Sequence, residues 1–200
     1  MERDASIAAI VPAAGASTRM GRDKRRLPFP GGGTILEATV ALLRAGGVAE
    51  LVAVVEPDSP CRSLPGLAGV ALAVNPDPSR GMLSSIRAGL AALPDAIAAV
   101  LIQPGDHPFA PPAAVAALCA RYRAERALLL APSYAGRRGH PLLLDRALFG
   151  EAVACDDAVG LRQLLERRAA DLQELPWDDP GGDLDLDRPE DLHRLERGAR

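Results

Sequence analysis

Aromatic residues are scarce: three Phe, two Tyr and one Trp, or 3% of 200 residues. A core without them is made from aliphatic side chains, and Ala, Leu and Val dominate the 48% apolar content. That composition suits helices packed on Val-, Ile- and Leu-rich strands. Cysteine is sparse as well. Cys61, Cys119 and Cys155 are odd in number and far apart, with no C-x-x-C pair. This excludes a disulfide framework and the common zinc spacings, and reads as three reduced, buried thiols in a cytoplasmic protein. Neither sign of charge is in excess: 23 Lys and Arg stand against 26 Asp and Glu, for a net charge of −3. Such a balance offers no broad basic face to a nucleic acid. No apolar run approaches the roughly 20 residues of a membrane span, and MERDASIAAIV is too short for a signal peptide. No membrane or nucleic-acid partner is therefore expected. With no linker or internal repeat, one α/β domain over residues 1–200 is the expected organisation.

What is present is a regular alternation. Ser6–Ala13 reads as a buried strand ended by Ala-Gly. Thr34-x-x-Glu37 has the form of a capping box; Ile35, Leu36, Thr39 and Leu43 share a face, and Gly46-Gly47 stops that helix. Leu51–Val55, Val70–Val74, Ile97–Ile102 and Leu128–Ala131 read as strands. Helices are expected over Met82–Leu93 and from Pro111 or Pro112 to about Arg126. Beyond Ala131 the pattern is less regular: Gly139–Leu144 and Leu172–Leu175 read as strands, Ala158–Arg168 as a helix, and Asp187–Leu195 as a closing helix with its own capping box. Strands apolar on both faces, alternating with helices, predict a mainly parallel sheet with helices on both faces. In open sheets of this kind ligands bind beyond the carboxyl ends of the strands. The loops 14–26, 75–81 and 103–108 should thus converge on one cleft.

Those loops carry the chemistry. After the first strand, Ala13, Ala14, Gly15 and Ala16 are small enough for backbone N–H groups to approach an anion. Arg19 and Lys24 add full charges, and the place after the first strand favours phosphate binding over a surface loop of solvated cations, although the order is neither G-x-x-x-x-G-K-[ST] nor G-x-G-x-x-G. Arg25 and Arg26 read as solvated cations. In LIQPGDHPF, Leu101–Phe109, Asp106 stands on a turn just past a strand. A carboxylate facing a phosphate loop is what a phosphate-bound Mg²⁺ needs, since that ion keeps few protein ligands and several waters; Asp-x-Pro is also ordinary turn chemistry. His107 reads as a turn or packing histidine. In DLDLDRPEDL, Asp183–Leu192, alternation puts the aspartates on one face. Asp187 is a helix cap, Asp183 is solvated, and Asp185 is placed to reach the cation of Asp106. Gly81 ahead of Ser84 and Ser85 offers N–H and hydroxyl groups to a base or ribose, or simply caps a helix. Arg137, Arg138 and His140 suit a second anionic substrate or a basic hairpin tip.

Taken in order, these stretches resemble the molybdenum cofactor nucleotidyltransferase family, and most closely its cytidylyltransferase branch, over about Ile7 to Leu195. Gly15, Ser17, Arg19, Met20, Gly21, Lys24, Leu27 and Pro28 match its opening motif. Asn75, Pro76, Gly81, Met82 and Ser85 match N-P-x-x-x-x-G-M-x-x-S in the form of the CTP users. Gly105, Asp106 and Pro108 match G-D-x-P. Arg138–Pro141 match R-G-H-P, Gly160, Arg162, Leu164 and Leu165 match G-x-R-x-L-L, and Asp185, Asp187, Pro189, Glu190 and Asp191 match D-x-D-x-P-E-D. The resemblance implies a Rossmann-like nucleotide-diphospho-sugar transferase fold. It implies that Arg19 and Lys24 hold the triphosphate of CTP, with Ala13, Ala14, Gly15 and Ser17 around it, and that Asn75, Gly81, Met82 and Ser85 lie at the base. It implies that Asp106 and Asp185 hold Mg²⁺, and that Arg138 and His140 face a molybdopterin acceptor destined for a client molybdoenzyme. The chain departs from the pattern at Pro12, at Arg25-Arg26, at His107, where cytidylyltransferases often carry Gln, and at Arg188. The acceptor is what these departures touch. Another cytidylyl- or guanylyltransferase with a different phosphorylated acceptor (a sugar phosphate, phospholactate or polyol phosphate), a non-catalytic cofactor chaperone and a nucleotide-binding regulatory module are the alternatives.

Overall fold

The computed structural model describes residues 5–15 and 23–178. Ser17, Arg19, Asp183, Asp185 and the helix expected over Asp187–Leu195 lie outside these. The sheet is built on β1 (Ile7–Pro12), β2 (Glu50–Val55), β3 (Ala71–Val74) and β4 (Ala99–Ile102), joined by α1 (Ile35–Ala45) and α2 (Met82–Ala91). It continues through α3 (Pro112–Glu125), β5 (Leu129–Tyr134), β6 (Arg137–Arg138), β7 (Leu142–Asp145), α4 (Phe149–Val153), α5 (Arg162–Arg167) and β8 (Leu172–Trp177). Strand order is β3-β2-β1-β4-β7-β5-β6, with β8 paired to β5. The β3-β2-β1-β4 half is parallel, β7 lies antiparallel between β4 and β5, and β8 is parallel to β5. This is a mainly parallel α/β sheet with helices on both faces. No helix among the described residues is long and apolar enough to cross a membrane.

Alternation along β1 sorts the core. Ile7, Ala9 and Val11 pack with α1 and α3 on one face, while Ile10 packs with α2, α4 and α5 on the other. Gly89 of α2 lies directly over Ile10, where a Cβ would come 2.5 Å from Ile10 Cγ2. The capping box forms as the sequence implies: Thr34 Oγ1 accepts from Glu37 N–H at 3.3 Å and Glu37 Oε2 accepts from Thr34 N–H at 2.8 Å.

β6 and α4 lie outside the expected elements, the strand expected over Gly139–Leu144 is β7 at Leu142–Asp145, and three further elements differ from expectation. β3 is an edge strand, so Leu72 and Val74 are 38% and 40% exposed rather than covered on both faces. β5 runs past Ala131 to Tyr134, because Pro132 falls where the strand changes partner from β7 to β6 and needs no N–H. The helix expected from Ala158 begins only at Arg162, because Asp156 organises a turn that ends on Gly160 at φ +71°.

Buried Tyr122 ties α3 to the base of the sheet. Its hydroxyl lies 2.6 Å from Asp145 Oδ2 and 2.9 Å from the Ala98 carbonyl. Burial, reinforced by Asp145, pushes its pKa up to about 12. The folded value lies above that of the unfolded chain, so this stabilisation is full below pH 10 and is lost as pH rises toward 12. Denaturant titrations across that window are expected to show a loss of about 2–3 kcal/mol that Tyr122→Phe removes.

Candidate functional site

The carboxyl end of β2 organises the cleft. Val54 carbonyl accepts Ala13 N–H at 2.7 Å, and Val55 carbonyl accepts Asn75 N–H at 2.9 Å. The loops after β1 and β3 therefore leave from one edge. β1 ends at Pro12, whose missing N–H falls where the ladder stops. Ala13 is buried with its N–H committed to Val54. Past it, Gly15 sits at φ +150° with no atom of the described residues within 4 Å of a built Cβ. Ala14 and Gly15 are half-buried where Ala13 is buried.

The loop returns at Asp23 and forms a single 3-10 turn, Lys24–Arg26. Lys24 is buried to 7% exposure and Arg26 is exposed. Arg25 is not the solvated cation its charge run implies. It is as buried as Lys24 and pairs with both Asp23 and Glu56. Burial alone would lower its pKa; the Asp23 hydrogen bond and the two carboxylate charges hold it above the ordinary value.

The turn after β4 is fixed through its backbone. Gly105 N–H donates to Pro12 carbonyl at 2.9 Å, and His107 N–H to Pro104 carbonyl at 3.1 Å. Thr39 Oγ1 of α1 lies 3.2 Å from Gly105 carbonyl. Gly105 sits at a close approach: a Cβ would stand 3.1 Å from Ala13 Cβ, Leu36 Cδ1 and Pro12 O. Asp106 is left projecting, its side chain 37% exposed and Oδ1 3.9 Å from His107 Nε2. Phe29, after the Lys24 turn, and Phe109, after this turn, pack as tilted rings with centroids 5.8 Å apart.

His107 has a partner the sequence did not suggest. Antiparallel pairing of β7 with β4 brings His140 in, and the two imidazoles meet edge to face at 5.3 Å. Burial, aided by His107, pushes the His140 pKa down to about 4, so the ring is neutral at pH 7. Arg137 and Arg138, on β6 beside this side of the sheet, are both exposed. Gln103 also escaped the sequence reading. It is fully buried at the end of β4, and its amide donates to the His107 carbonyl. Its signal was a lone amide between an apolar strand and a proline.

In the loop after β3, Asn75 is 1% exposed and fully engaged. Nδ2 donates to Ser84 Oγ at 2.8 Å and Ser85 Oγ at 2.9 Å, while Oδ1 accepts Asp77 N–H at 3.0 Å. Asn75 and Ser85 thus sit inside the wall of the cleft. Gly81, at φ +87°, opens α2, and Met82 is 51% exposed. Asp157 reaches back from the α4–α5 connection to bridge Arg80 and Arg87, and these arginines hold its carboxyl below the usual range.

Of the residues expected to act, the fold brings Ala14, Gly15, Lys24, Asp106 and His140 to the carboxyl end of the sheet, with Gly81 and Met82 on the adjoining loop. Among the described residues no three His, Cys, Asp or Glu side chains form a metal-binding group. One projecting carboxylate on a turn beside the loop that carries Lys24 is a donor set of the kind a divalent cation such as Mg²⁺ accepts, since that ion takes one or two carboxylates and fills its shell with other oxygens and water.

Residues 9–172 match the MobA-like NTP transferase domain. The structure of Rv0371c from Mycobacterium tuberculosis H37Rv superposes with a TM-score of 0.84 at 28% identity, covering 97% of this chain and all of that one. A complex of the same mycobacterial protein with manganese superposes at 0.79, with 27% identity over 95% and 97% of the two chains. The chain is also 33% identical over 130 residues to 2-C-methyl-D-erythritol 4-phosphate cytidylyltransferase of Nocardia farcinica. That match takes in 62% of this chain and spans about half of the relative, 55% of its length.

Proposed function

The chain belongs to the MobA-like NTP transferase family, and from that premise we propose that it transfers CMP from CTP to the terminal phosphate of a molybdopterin acceptor, releasing pyrophosphate. The observation that carries the transfer is the convergence of the Gly15 limb, Lys24 and Asp106 at one end of the sheet. The acceptor and the choice of CTP rest on R-G-H-P at Arg138–Pro141 and on the Asn75–Ser85 motif. An acceptor phosphate oxygen attacks the α-phosphorus of CTP and the bond to the β-phosphate oxygen breaks, with no covalent enzyme intermediate. Lys24 and Arg19 balance charge on the triphosphate, and the backbone at Ala14 and Gly15 cradles it. Asp106 and Asp185 would hold a divalent cation, which the manganese complex of the mycobacterial neighbour supports; when bound it supplies charge neutralisation on phosphate oxygens. Neutral His140 orients the acceptor by hydrogen bonding and packing, while Arg138 carries the charge. Gln103 fixes the Asp106 turn from beneath.

A second reading keeps CTP and changes the acceptor to a phosphorylated polyol, which the identity to the Nocardia enzyme favours. Pyrophosphate release decides between them. The chain is incubated with Mg²⁺ and CTP, GTP, ATP or UTP, with molybdopterin, 2-C-methyl-D-erythritol 4-phosphate or no acceptor. Release that needs CTP and molybdopterin together is expected. Release with the polyol phosphate alone moves the reaction to the second acceptor, and no release with any pair removes both.

A further inference from the structure

The 3-10 turn that carries Lys24 is held by a neighbour rather than by its own length. Asp23 caps it, with Oδ1 accepting Arg25 N–H at 3.1 Å. The same carboxylate takes the Arg25 guanidinium as a fork, Nε to Oδ1 at 2.6 Å and Nη2 to Oδ2 at 3.0 Å. A second fork runs to Glu56, Nη1 to Oε2 and Nη2 to Oε1, both at 3.1 Å. Cys61 Sγ, fully buried, closes the far side of Asp23 at 3.8 Å. Glu56 directly follows β2, whose Val54 and Val55 carbonyls hold Ala13 and Asn75. One strand end therefore fixes the outgoing limb of the phosphate loop, its return limb and the loop after β3.

We propose that Arg25 is a positioning residue of the triphosphate site: clamped between Asp23 and Glu56, it sets the Lys24 turn in ligand-ready geometry and cancels carboxylate charge next to it. This rests on the nucleotidyltransferase reading above. A cation meant only to attract phosphate would be exposed, and lysine would serve. This one is 7% exposed and uses the planar fork that lysine lacks. Burying a guanidinium with two carboxylates is a poor way to gain stability, because desolvation offsets most of the attraction. Its effect here is order in a three-residue turn too short to hold itself. A loop that is ordered before binding leaves less entropy to be lost when the ligand arrives.

The test is equilibrium binding of Mg²⁺ with each of the four nucleoside triphosphates, and of inorganic triphosphate, to the full chain. Wild type is compared with Arg25→Met, Arg25→Lys and the pair Arg25→Met/Glu56→Gln. Amide exchange at Arg26 and Leu27, whose N–H groups bond to Asp23 and Lys24 carbonyls, reads the order of the turn without ligand. If the competent turn falls to about a tenth of molecules, the apparent Kd rises about tenfold. That rise, with faster exchange at both amides, is expected for Arg25→Met; Arg25→Lys and the double variant should recover only part. A purely structural role would lower the melting temperature and leave the affinity of the folded protein unchanged. Should Arg25→Met fail to fold, Glu56→Gln replaces it, since it loosens one fork and keeps the other; an unchanged Kd there overturns the proposal. Wild type that binds while Arg25→Met binds equally well overturns this inference alone. A wild type that binds none of the ligands overturns the nucleotide reading and this one with it.

Discussion

Asp106→Asn is expected to lower kcat for pyrophosphate release by roughly 10²- to 10³-fold, the size seen when one group that stabilises transition-state charge is removed. The melting temperature should move by no more than about one or two degrees. The asymmetry follows from how the turn is held. Gly105 N–H to Pro12, Thr39 to Gly105 carbonyl and His107 N–H to Pro104 are all bonds to main chain, and none uses the Asp106 carboxylate. Among the described residues it lies 3.9 Å from His107 Nε2 on a partly exposed ring, a contact worth well under about 1 kcal/mol. Asn keeps the shape and removes the charge, so the loss should fall on turnover and on the Mg²⁺ concentration needed for half-maximal rate. Turnover is measured at saturating nucleotide over a Mg²⁺ titration, beside a thermal melt. Near-wild-type turnover at every Mg²⁺ concentration would remove Asp106 from the chemistry.

How much of this was legible in the sequence depended on how far apart the interacting residues lie. The capping box at Thr34–Glu37 reads from four letters because both of its hydrogen bonds are local. β1, β2 and β4 read as buried runs because both of their faces are covered. β3 has the same apolar letters but lies at the sheet edge, and nothing within Ala71–Val74 states its place in the strand order. The start of α5 was lost to the Asp156 turn, whose Gly160 at positive φ overrides the apolar period around it.

The same rule divides the site. The turn that carries Asp106 is legible because Pro104, Gly105 and Pro108 announce it locally. Arg25 was misread because its second carboxylate, Glu56, is 31 residues away, and Asp-Lys-Arg-Arg by itself looks like a solvated charge run. His140 was found by motif, but its neutrality comes from burial against His107, a contact made only when β7 lies antiparallel to β4. Asp157 gave no signal at all, since its partners Arg80 and Arg87 belong to another element. Motifs thus point to the loops at the carboxyl end of the sheet, while the charge pairing around them follows from the strand order.

Asn75→Leu is the other substitution with a large expected effect, and it separates two ways in which a motif residue can serve a ligand. The amide links Asp77 on the loop to Ser84 and Ser85 in the first turn of α2, and it is only 1% exposed. Leucine is close in size but leaves Asp77 N–H and both hydroxyls without that partner. The loss of such a buried network is worth roughly 2–4 kcal/mol, or a fall in melting temperature of about 5–15 °C for a domain of this size. Because the lost bonds hold the loop that leads into Gly81, nucleotide KM should rise about tenfold as the competent loop becomes a minor population. Ser85→Ala supplies the contrast. Ser85 is fully buried and accepts only one of the two Nδ2 bonds, so its loss leaves the Asp77 and Ser84 links in place. Its expected cost is about 1 kcal/mol with KM nearly unchanged. Thermal melts and nucleotide KM on the two variants read the outcome. If Ser85→Ala raises KM as much as Asn75→Leu does, the hydroxyl contacts the nucleotide itself and the loop opens further on binding than its hydrogen bonds imply. If KM follows Asn75 alone, the motif serves the nucleotide by holding the backbone of 75–81 in place.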